Sequence, residues 1–414
     1  MSKILEKQNG GSQTVLRQRN VSLVLETIKS NGPIAKREIV YLTGLSFAKV
    51  NSIIIFLHNL GLILEVGKEK SNGGRPSSIF ELNQNFRYTI GCQLSHTQIH
   101  TIVSNLKGEI LFNNIKPFDK SIGKEVVIDM LIDSIDNLIK NSGIPKDKFI
   151  GIGVAIAGLF NPKDETTLPF PHLVTWGNVS FKSILSNKFK LPCYINNVAN
   201  AAALAERNFG LGKGIENALY LNVGSGLGMG IIFNGKLYEG VSGTAGEFGH
   251  ITVDENGPLC ACGNVGCLEA IASTKAVIID AKDRLRQGVS SVLSNMVKDN
   301  INNLDFKMIC DAAVQSDKLA FGIIDKMGQN LGEGIVTLIN LLNPERIILG
   351  GKIVDASKLI IIPIMNIVQK RALEIPRRNT EIVFSNMGSN AGTVGSTIPI
   401  IEKFFENEVN TLVD

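Results

Sequence analysis

The spacing of apolar residues predicts three helices within the first 60 positions of this chain. In the first helix, apolar side chains recur three and four residues apart, at Val21, Val24, Leu25 and Ile28. Asn20 is a candidate cap at the start of this helix, and Gly32 is a candidate stop. The same spacing predicts a second helix over 36–43 and a third over 47–59. The third helix directs four apolar side chains inward, those of Val50, Ile53, Ile54 and Leu57.

The turn between the second and third helices, and the segment after them, are typical of a winged helix-turn-helix. Gly44-Leu45-Ser46 predicts a tight turn, and short strands are predicted over 62–66 and 78–82, with a basic, glycine-rich loop between them. In this arrangement the third helix enters the major groove of DNA and the loop reaches a minor groove or a phosphate. The candidate DNA contacts are Ser46, Phe47, Lys49, Asn51, Ser52 and Arg75.

The distribution of charge favours an anionic partner for this N-terminal segment. The chain has a formal net charge of +4, and residues 1–82 hold 11 Lys+Arg against 6 Asp+Glu. The remaining residues hold 31 and 32, so the basic excess lies wholly in the N-terminal segment. A small helical domain that binds another protein shows the same helical pattern and is the alternative interpretation.

Beyond residue 82 the pattern alternates between apolar strands and amphipathic helices, which is typical of an α/β fold. At 414 residues the chain is too long for one ordinary core, so we expect two or three domains. Helices are predicted over 126–140 and 331–342, in the alanine-rich run after residue 196, and through most of 274–325. Strands are predicted over 88–94, 100–105, 109–112, 149–155, 191–195, 218–223, 231–233, 236–237 and 346–349.

A histidine and three cysteines between residues 250 and 267 form a candidate metal site. One imidazole and three thiolates fill the tetrahedral shell of a structural zinc ion. Gly263 and Gly266 allow the loop to fold back toward the metal. Reduced, buried cysteines beside an ordinary surface histidine are the alternative. The four candidate ligands are His250, Cys260, Cys262 and Cys267.

The sequence predicts a cytoplasmic protein with no membrane partner. No apolar run reaches the roughly 18 residues that a membrane span needs, and the N-terminus has no apolar signal core. Three of the six cysteines belong to the metal cluster, which suits a reducing compartment better than a disulfide framework.

The residues around the cluster resemble a known family signature. The run E-x-G-H at 247–250 and the run C-x-C-G-x-x-G-C-x-E at 260–269 are similar to the signature of the ROK family, which contains repressors, open reading frames and sugar kinases. The Gly-Gly-Arg-Pro run at 73–76 resembles the wing of ROK-type repressors. The resemblance implies an actin-like, sugar-kinase (RNase H-like) body behind a winged helix-turn-helix.

The resemblance also implies how the chain is divided and where a sugar binds. The winged helix-turn-helix takes residues 1–82, and the ROK sugar-binding domain takes 83–414. The first lobe of this domain takes about 83–199 plus the C-terminal helix, and the second lobe takes about 200–395. One ring nitrogen of the histidine then faces the metal and the other faces the sugar. The implied sugar contacts in the cleft between the lobes are Gly158, Asn197, Glu247, His250 and Glu269.

Two departures from the kinases of the family argue against catalysis. The family's phosphate-approaching turn D-x-G-G-T is replaced by the run 93–97, which starts with Gln93 and lacks both glycines. The aspartate that acts as general base is replaced by Val198, which cannot accept a proton. The glycine-rich run 224–230 is retained, so a sugar kinase with an attached DNA-binding domain is the competing hypothesis. A regulator that responds to a partner protein is a third.

The leading hypothesis is a sugar-responsive repressor of carbohydrate-utilisation genes, with no catalytic residues. The chain most resembles the xylose repressors of the family, which implies operator DNA and xylose as partners and a homodimer that meets two half-sites. Val198 stands where a polar group would face the hydroxymethyl group of a hexose, which favours a pentose. N-acetylglucosamine, glucose and other sugars are the alternative effectors.

Overall fold

The computed structural model describes residues 13–69, 77–119, 121–158, 160–161, 166–167, 179–298 and 300–411. The N-terminal segment contains three helices, α1 (Gln13–Asn31), α2 (Lys36–Thr43) and α3 (Phe47–Asn59). It also contains three short strands, β1 (Ile34–Ala35), β2 (Ile63–Lys68) and β3 (Ser78–Leu82). The strands form an antiparallel sheet in the order β1-β3-β2.

The N-terminal helices pack as their apolar spacing predicts. The four inward-facing apolar residues of α1 and the four of α3 are all buried. Gly44 ends α2 at a φ of 66°, a left-handed conformation that suits glycine, and the chain bends by 118° between α2 and α3. Helix-turn-helix motifs bend by roughly 90–120° at this point. The predicted start of α1 at Asn20 is wrong: the helix already includes Gln13, because the residues before Asn20 are good helix formers.

The first lobe is built on a five-stranded mixed sheet. Its strands are β4 (Tyr88–Leu94), β5 (Gln98–Asn105), β6 (Ile110–Pro117), β7 (Phe149–Ile156) and β10 (Cys193–Asn197). β4, β5 and β6 form an antiparallel meander, and β7 and β10 run parallel to β4 on its other side. Helices α4 (Lys124–Ser142) and α5 (Phe181–Phe189) share one apolar core with this sheet. β8 (Phe160–Asn161) and β9 (Thr166–Thr167) form a separate pair.

The second lobe repeats the same strand order in a second five-stranded sheet. β11 (Ala218–Val223), β12 (Leu227–Phe233) and β13 (Lys236–Leu237) form the meander, and β14 (Arg346–Gly350) and β15 (Glu381–Phe384) are the parallel strands. This repetition confirms the predicted two-lobed, actin-like body. The helices of this lobe are α7 (Leu268–Ala272), α8 (Thr274–Arg286), α9 (Leu293–Met296), α10 (Phe306–Val314), α11 (Lys318–Leu342), α12 (Ser357–Arg371) and α13 (Glu374–Asn379).

Two helices cross between the lobes, α6 (Val198–Phe209) and α14 (Ala391–Ser396). They approach so closely that a Cβ atom on Gly395 would lie 1.6 Å from the Ala201 carbonyl oxygen. α6 also packs against β11 and β12 of the second lobe, whereas α14 packs against β4 and β7 of the first lobe. The crossing therefore links the two lobes through backbone contact.

The last helix, α15 (Ile398–Thr411), connects the body to the N-terminal segment. Ile401 and Phe405 are buried in the same apolar core as the inward faces of α1 and α3. Lys29 on α1 places its Nζ 5.0 Å from the centroid of the Phe405 ring. The core of the N-terminal segment is thus continuous with the body of the protein.

Several elements differ from their sequence prediction. α11 begins at Lys318 rather than at residue 331, because glycines interrupt its apolar stripe where α12 approaches. At Gly328, for example, a Cβ atom would lie 2.6 Å from Pro363. β6 continues to Pro117 because it is an edge strand, whose exposed residues hide the expected alternation. β12 begins at Leu227, so only residues 224–226 of the glycine-rich run form the turn.

Within the described residues, no single helix has the length and apolar composition needed to cross a membrane. α2 and α3 meet that requirement only as a pair, with the 118° bend between them.

We expect Gly395→Ala to destabilise the protein and Gly322→Ala to leave it as stable or more stable. Both glycines lie in helices, but only Gly395 has backbone atoms in the space that a Cβ atom would take. Overpacking costs about 1–3 kcal/mol or more, whereas Gly to Ala in an exposed helix stabilises by about 1 kcal/mol. The midpoints of thermal unfolding of the two variants measure the difference. Equal midpoints would show that the helix crossing relaxes freely.

Candidate functional site

A cleft of about 450 Å³ opens between the two lobes. One wall comes from the ends of β4, β7 and β10, and the other comes from the turn before β12 and the loop after β13. The first residues of α6 and α14 lie between these walls. The cleft brings together all five candidate sugar contacts, Gly158, Asn197, Glu247, His250 and Glu269.

Asn197 is held by two hydrogen bonds at the start of α6. Its Oδ1 accepts from the Ala199 N–H at 2.7 Å, which caps the helix. Its Nδ2 donates to the Gly158 carbonyl oxygen at 2.8 Å. Asn197 therefore joins two of the candidate sugar contacts into one fixed corner of the cleft.

Two carboxylates face the cleft from the second lobe. Glu269 Oε2 accepts from the Leu227 N–H at 2.8 Å and so holds the turn before β12. Glu247 Oε2 lies 3.8 Å from His250 Nε2. Burial raises the pKa of the Glu247 carboxyl above its ordinary value; His250 opposes this rise and the nearby Glu269 carboxylate adds to it. Neighbouring carboxylates accept hydrogen bonds from vicinal hydroxyl groups, so this wall suits a sugar.

On its other side, His250 faces the three cysteines. Its Nδ1 lies 3.7 Å from Cys260 Sγ, and Cys262 Sγ lies 3.6 Å from Cys267 Sγ. The four candidate ligand atoms all lie within 4.8 Å of one another. Two sulfur ligands at about 2.3 Å from a tetrahedral metal ion lie about 3.8 Å apart, so the cluster has the size of such a site. Burial and the adjacent thiols raise the pKa of Cys267 to about 12, so metal binding has to displace its proton.

The loop that carries the cysteines needs glycine where the sequence predicts it. Gly263 and Gly266 have φ values of 95° and 69°, and a Cβ atom on Gly266 would lie 1.6 Å from the Asp254 carbonyl oxygen. Cys267 is the residue that precedes α7, and Glu269 lies in the first turn of that helix. Each end of the cluster is thus close in sequence to one of the two cleft carboxylates.

Val198, which the family resemblance matches to the kinase general base, lies in an apolar environment. Val198 is 8% exposed and packs with Ala155 and Ala201. Gln93, at the end of β4, lines the cleft beside it. A Cβ atom on Gly392 would lie 2.4 Å from Gln93 Oε1 and 3.1 Å from Val198 Cγ1, so both side chains contact the start of α14. The two departures found in the sequence therefore lie together, against one end of the helix crossing.

Asn200 is a polar residue of the cleft that sequence reasoning missed. Its side chain lines the cleft at 3% exposure, and its Oδ1 has no hydrogen-bond partner among the described residues. A buried acceptor without a partner costs about 1–3 kcal/mol, so a ligand hydroxyl that donates to it would offset this cost. The available signal was a single polar residue inside the alanine-rich run, where the other side chains of the helix face are apolar.

The candidate DNA contacts on α3 lie on or beside its exposed side. Ser46 Oγ accepts from the Lys49 N–H at 3.4 Å, so this hydroxyl caps the helix. Asn51 Oδ1 accepts from Lys36 Nζ on α2 at 2.7 Å. Arg75 lies outside the described residues. Of the five candidates on α3 and its cap, four are exposed and Asn51 is half-buried; the four are Ser46, Phe47, Lys49 and Ser52.

Comparisons with known proteins agree with both parts of this geometry. The sequence profile of the ROK family matches residues 89–402. A xylose repressor from Caldicellulosiruptor bescii is 33% identical over 391 residues, covering 94% of this chain and 97% of the relative. The DNA-binding transcriptional dual regulator NagC from Escherichia coli is 32% identical over 380 residues, covering 91% of each chain. Among solved structures, a ROK family transcriptional regulator, a homolog of the Escherichia coli MLC protein, has a TM-score of 0.80 at 27% identity, covering 96% of this chain and 99% of that one.

We expect the histidine–cysteine cluster to bind one metal ion per chain and Cys267→Ser to remove it. Removing one of three thiolates leaves the tetrahedral shell incomplete, so the loop also loses its anchor and the thermal midpoint falls. Elemental analysis of the purified protein measures the metal content. The matched control is Cys310→Ser, because Cys310 is also buried but lies in the core of the second lobe. Equal metal content in the two variants would contradict a metal site at the cluster.

Proposed function

Because the chain belongs to the ROK family, we propose that it is a sugar-responsive transcriptional repressor that acts on operator DNA in the cytoplasm. The observation that carries this proposal is the presence of two features in one chain. One is a cleft lined by polar groups that suit sugar hydroxyls, and the other is a helix pair with helix-turn-helix geometry. The xylose repressor and NagC, which are named as regulators, match more than 90% of the chain and therefore both of these parts. The genes it controls are then those of carbohydrate utilisation.

The N-terminal segment supplies DNA binding as a winged helix-turn-helix in this proposal. α3 is the recognition helix, and β2 and β3 form the two strands of the wing. The candidate contacts on α3 read the major groove, and Arg75 in the loop of the wing reaches a minor groove or a phosphate. Two copies of the chain form a homodimer that places one recognition helix on each half of a palindromic operator.

The effector we propose is xylose, bound in the cleft by the five candidate sugar contacts. Glu247 and Glu269 accept hydrogen bonds from its hydroxyl groups, and Asn197 holds the opposite wall. Val198 presents an apolar surface where a hexose would carry its hydroxymethyl group, which favours a pentose. N-acetylglucosamine is the alternative, since an N-acetylglucosamine repressor from Escherichia coli is 32% identical to the chain over 380 residues.

The metal we propose for the cluster is zinc, with a structural role. Three thiolates and one imidazole are the ligands that zinc prefers, and they complete its shell without a position for water or substrate. His250 would bind the zinc through Nδ1, which leaves Nε2 directed toward Glu247 and the sugar. Zinc would therefore fix the wall of the cleft and take no part in catalysis.

The signal from the cleft would pass to the recognition helices through α14 and α15. Gln93 lines the cleft, and its Oε1 accepts from Thr393 Oγ1 at 3.4 Å. The same Thr393 hydroxyl lies 2.9 Å from His100 Nδ1, inside the sheet of the first lobe. α15 follows α14 directly and carries its apolar side chains into the core of α1 and α3. A sugar that moves the lobes would thus move α14, α15 and the N-terminal segment together.

An ATP-dependent sugar kinase with an attached DNA-binding domain is the competing proposal. The retained glycine turn at 224–226 favours it, because alternate glycines let backbone amides approach a phosphate. Val198 opposes it, because loss of a general base typically costs on the order of 100- to 10,000-fold in rate. We therefore propose that the protein is not an enzyme.

We expect the protein to bind DNA upstream of its own gene and to be released by xylose. Fluorescence anisotropy with a labelled duplex, with and without xylose, N-acetylglucosamine or glucose, measures both steps. Glu247→Gln should bind this DNA normally but need about 10- to 100-fold more xylose, because it loses a charge-assisted acceptor. Glu255→Gln is the matched control, since Glu255 is exposed and does not line the cleft.

Three other outcomes would contradict different parts of this proposal. Release by another sugar alone would keep the repressor and replace xylose. No specific DNA binding at physiological salt would contradict the repressor itself. Sugar-dependent ATP hydrolysis in a coupled assay, at the roughly 1–100 per second that is usual for kinases, would favour the enzyme.

We expect Thr393→Val to weaken the coupling between sugar and DNA, and Thr101→Val to leave it intact. Both threonines are fully buried. The Thr393 hydroxyl lies 2.9 Å from His100 Nδ1 and 3.4 Å from Gln93 Oε1, whereas the Thr101 hydroxyl lies 2.8 Å from Ser134 Oγ on the other side of β5. Each change should therefore cost a similar stability, about 1 kcal/mol. The ratio of DNA affinities without and with saturating xylose measures the coupling, which in known systems is about 5- to 150-fold. An equal fall of this ratio in both variants would contradict a route through Thr393.

A further inference from the structure

The outer side of α3 carries a strip of small and apolar side chains, of which the sequence analysis included only Ser52. Ala48, Ser52 and Ile55 lie four and three residues apart, so they share one side of the helix. All three are exposed, and Ile55 remains 52% exposed although its side chain is large and apolar. The opposite side of α3 is fully used in the N-terminal core. This strip stays exposed among the described residues, and we call it the outer strip (Ala48, Ser52 and Ile55).

The surroundings of the outer strip fit duplex DNA. The 118° bend between α2 and α3 leaves the outer side of α3 free to enter a major groove. Three basic residues belong to this helix pair: Lys36 and Arg37 at the start of α2, and Lys49 on α3. The two helices carry one acidic residue, Glu38. Basic side chains around an apolar strip match phosphates around base edges.

Several polar side chains next to the outer strip are partly engaged within the protein or pair with more than one base. Asn51 Oδ1 already accepts from Lys36 Nζ at 2.7 Å, so part of the capacity of this amide to pair with a base is used within the protein. The Ser46 hydroxyl caps α3. The Ser52 hydroxyl can pair with more than one base, because it both donates and accepts. The apolar side chains can therefore add sequence preference at the centre of the helix.

We propose that the outer strip reads thymine, with Ile55 and Ala48 in contact with the 5-methyl groups of thymines in each half-site. Thymine is the one base that presents a methyl group in the major groove, and apolar side chains are its usual partners. Ile55 supplies most of this contact because it is the larger and more protruding side chain. This inference rests on the proposed DNA-binding function and adds the chemical identity of the bases that α3 selects.

The test begins with selection of binding sites from a random duplex library by the full-length protein. Each thymine of the selected site is then replaced by deoxyuridine, which removes the methyl group and keeps the base pairing. At the thymine that Ile55 contacts, the wild-type protein should bind about 3- to 10-fold more weakly, as burial of one or two methyl groups predicts. Ile55→Ala should bind the thymine and deoxyuridine sites equally.

The matched control is Ile362→Ala, since Ile362 on α12 is 63% exposed and remote from α3 in sequence. This variant should keep the wild-type preference for thymine. Equal wild-type affinity for both sites, or an unchanged preference in Ile55→Ala, would overturn the thymine readout while leaving DNA binding in place. Failure to select any sequence would instead contradict the proposed DNA-binding function, and the thymine readout with it.

Discussion

The close crossing of α6 and α14 is the constraint on which the rest of this structure depends. No side chain separates the two helices at Gly395 and Ala201, so neither helix can move without the other. Both helices begin at the cleft, where Asn197 caps α6 and Gly392 lies against Gln93. α14 continues into α15, which shares the apolar core of the N-terminal helices. The shape of the cleft and the position of the N-terminal segment are therefore mechanically linked.

The two walls of the cleft differ in how they are built. The first-lobe wall consists of strand ends and a capped helix, in which backbone groups and one amide face inward. The second-lobe wall consists of loops, and loops position charged groups poorly unless something fixes them. The histidine–cysteine cluster meets this need, because its ligands lie close in sequence to Glu247 and to Glu269. A metal ion there would hold Glu247, in the loop after β13, close to Glu269, in the first turn of α7.

The sequence predicts most elements of this fold but not the contacts between them. α2, α3, β4 and β11 have the predicted bounds, because a helical or alternating apolar period is visible within each. α11 and β6 do not, because glycines placed for a neighbouring helix and polar residues on an edge strand interrupt that period. The metal cluster was visible because its ligands are close in the chain. The candidate sugar contacts required a family resemblance, since they are spread over more than one hundred residues of the chain. Asn200 belongs neither to the cluster nor to the family signature, and its one signal was its polarity inside the alanine-rich run.

In the proposed repressor, Val198 affects sugar binding as well as catalysis. In a kinase, part of the free energy of sugar binding has to be gained only in the transition state, where it lowers the barrier to reaction. Val198 instead packs with Ala155 and Ala201, and it lies beside Gly392 at the end of the helix crossing. An ionised carboxylate would be costly to bury at this position. An apolar side chain at this point allows the lobes to close on a bound sugar without that cost. For a repressor, the binding energy of the sugar is then available to stabilise one arrangement of the lobes over another, which is what a change in DNA affinity requires.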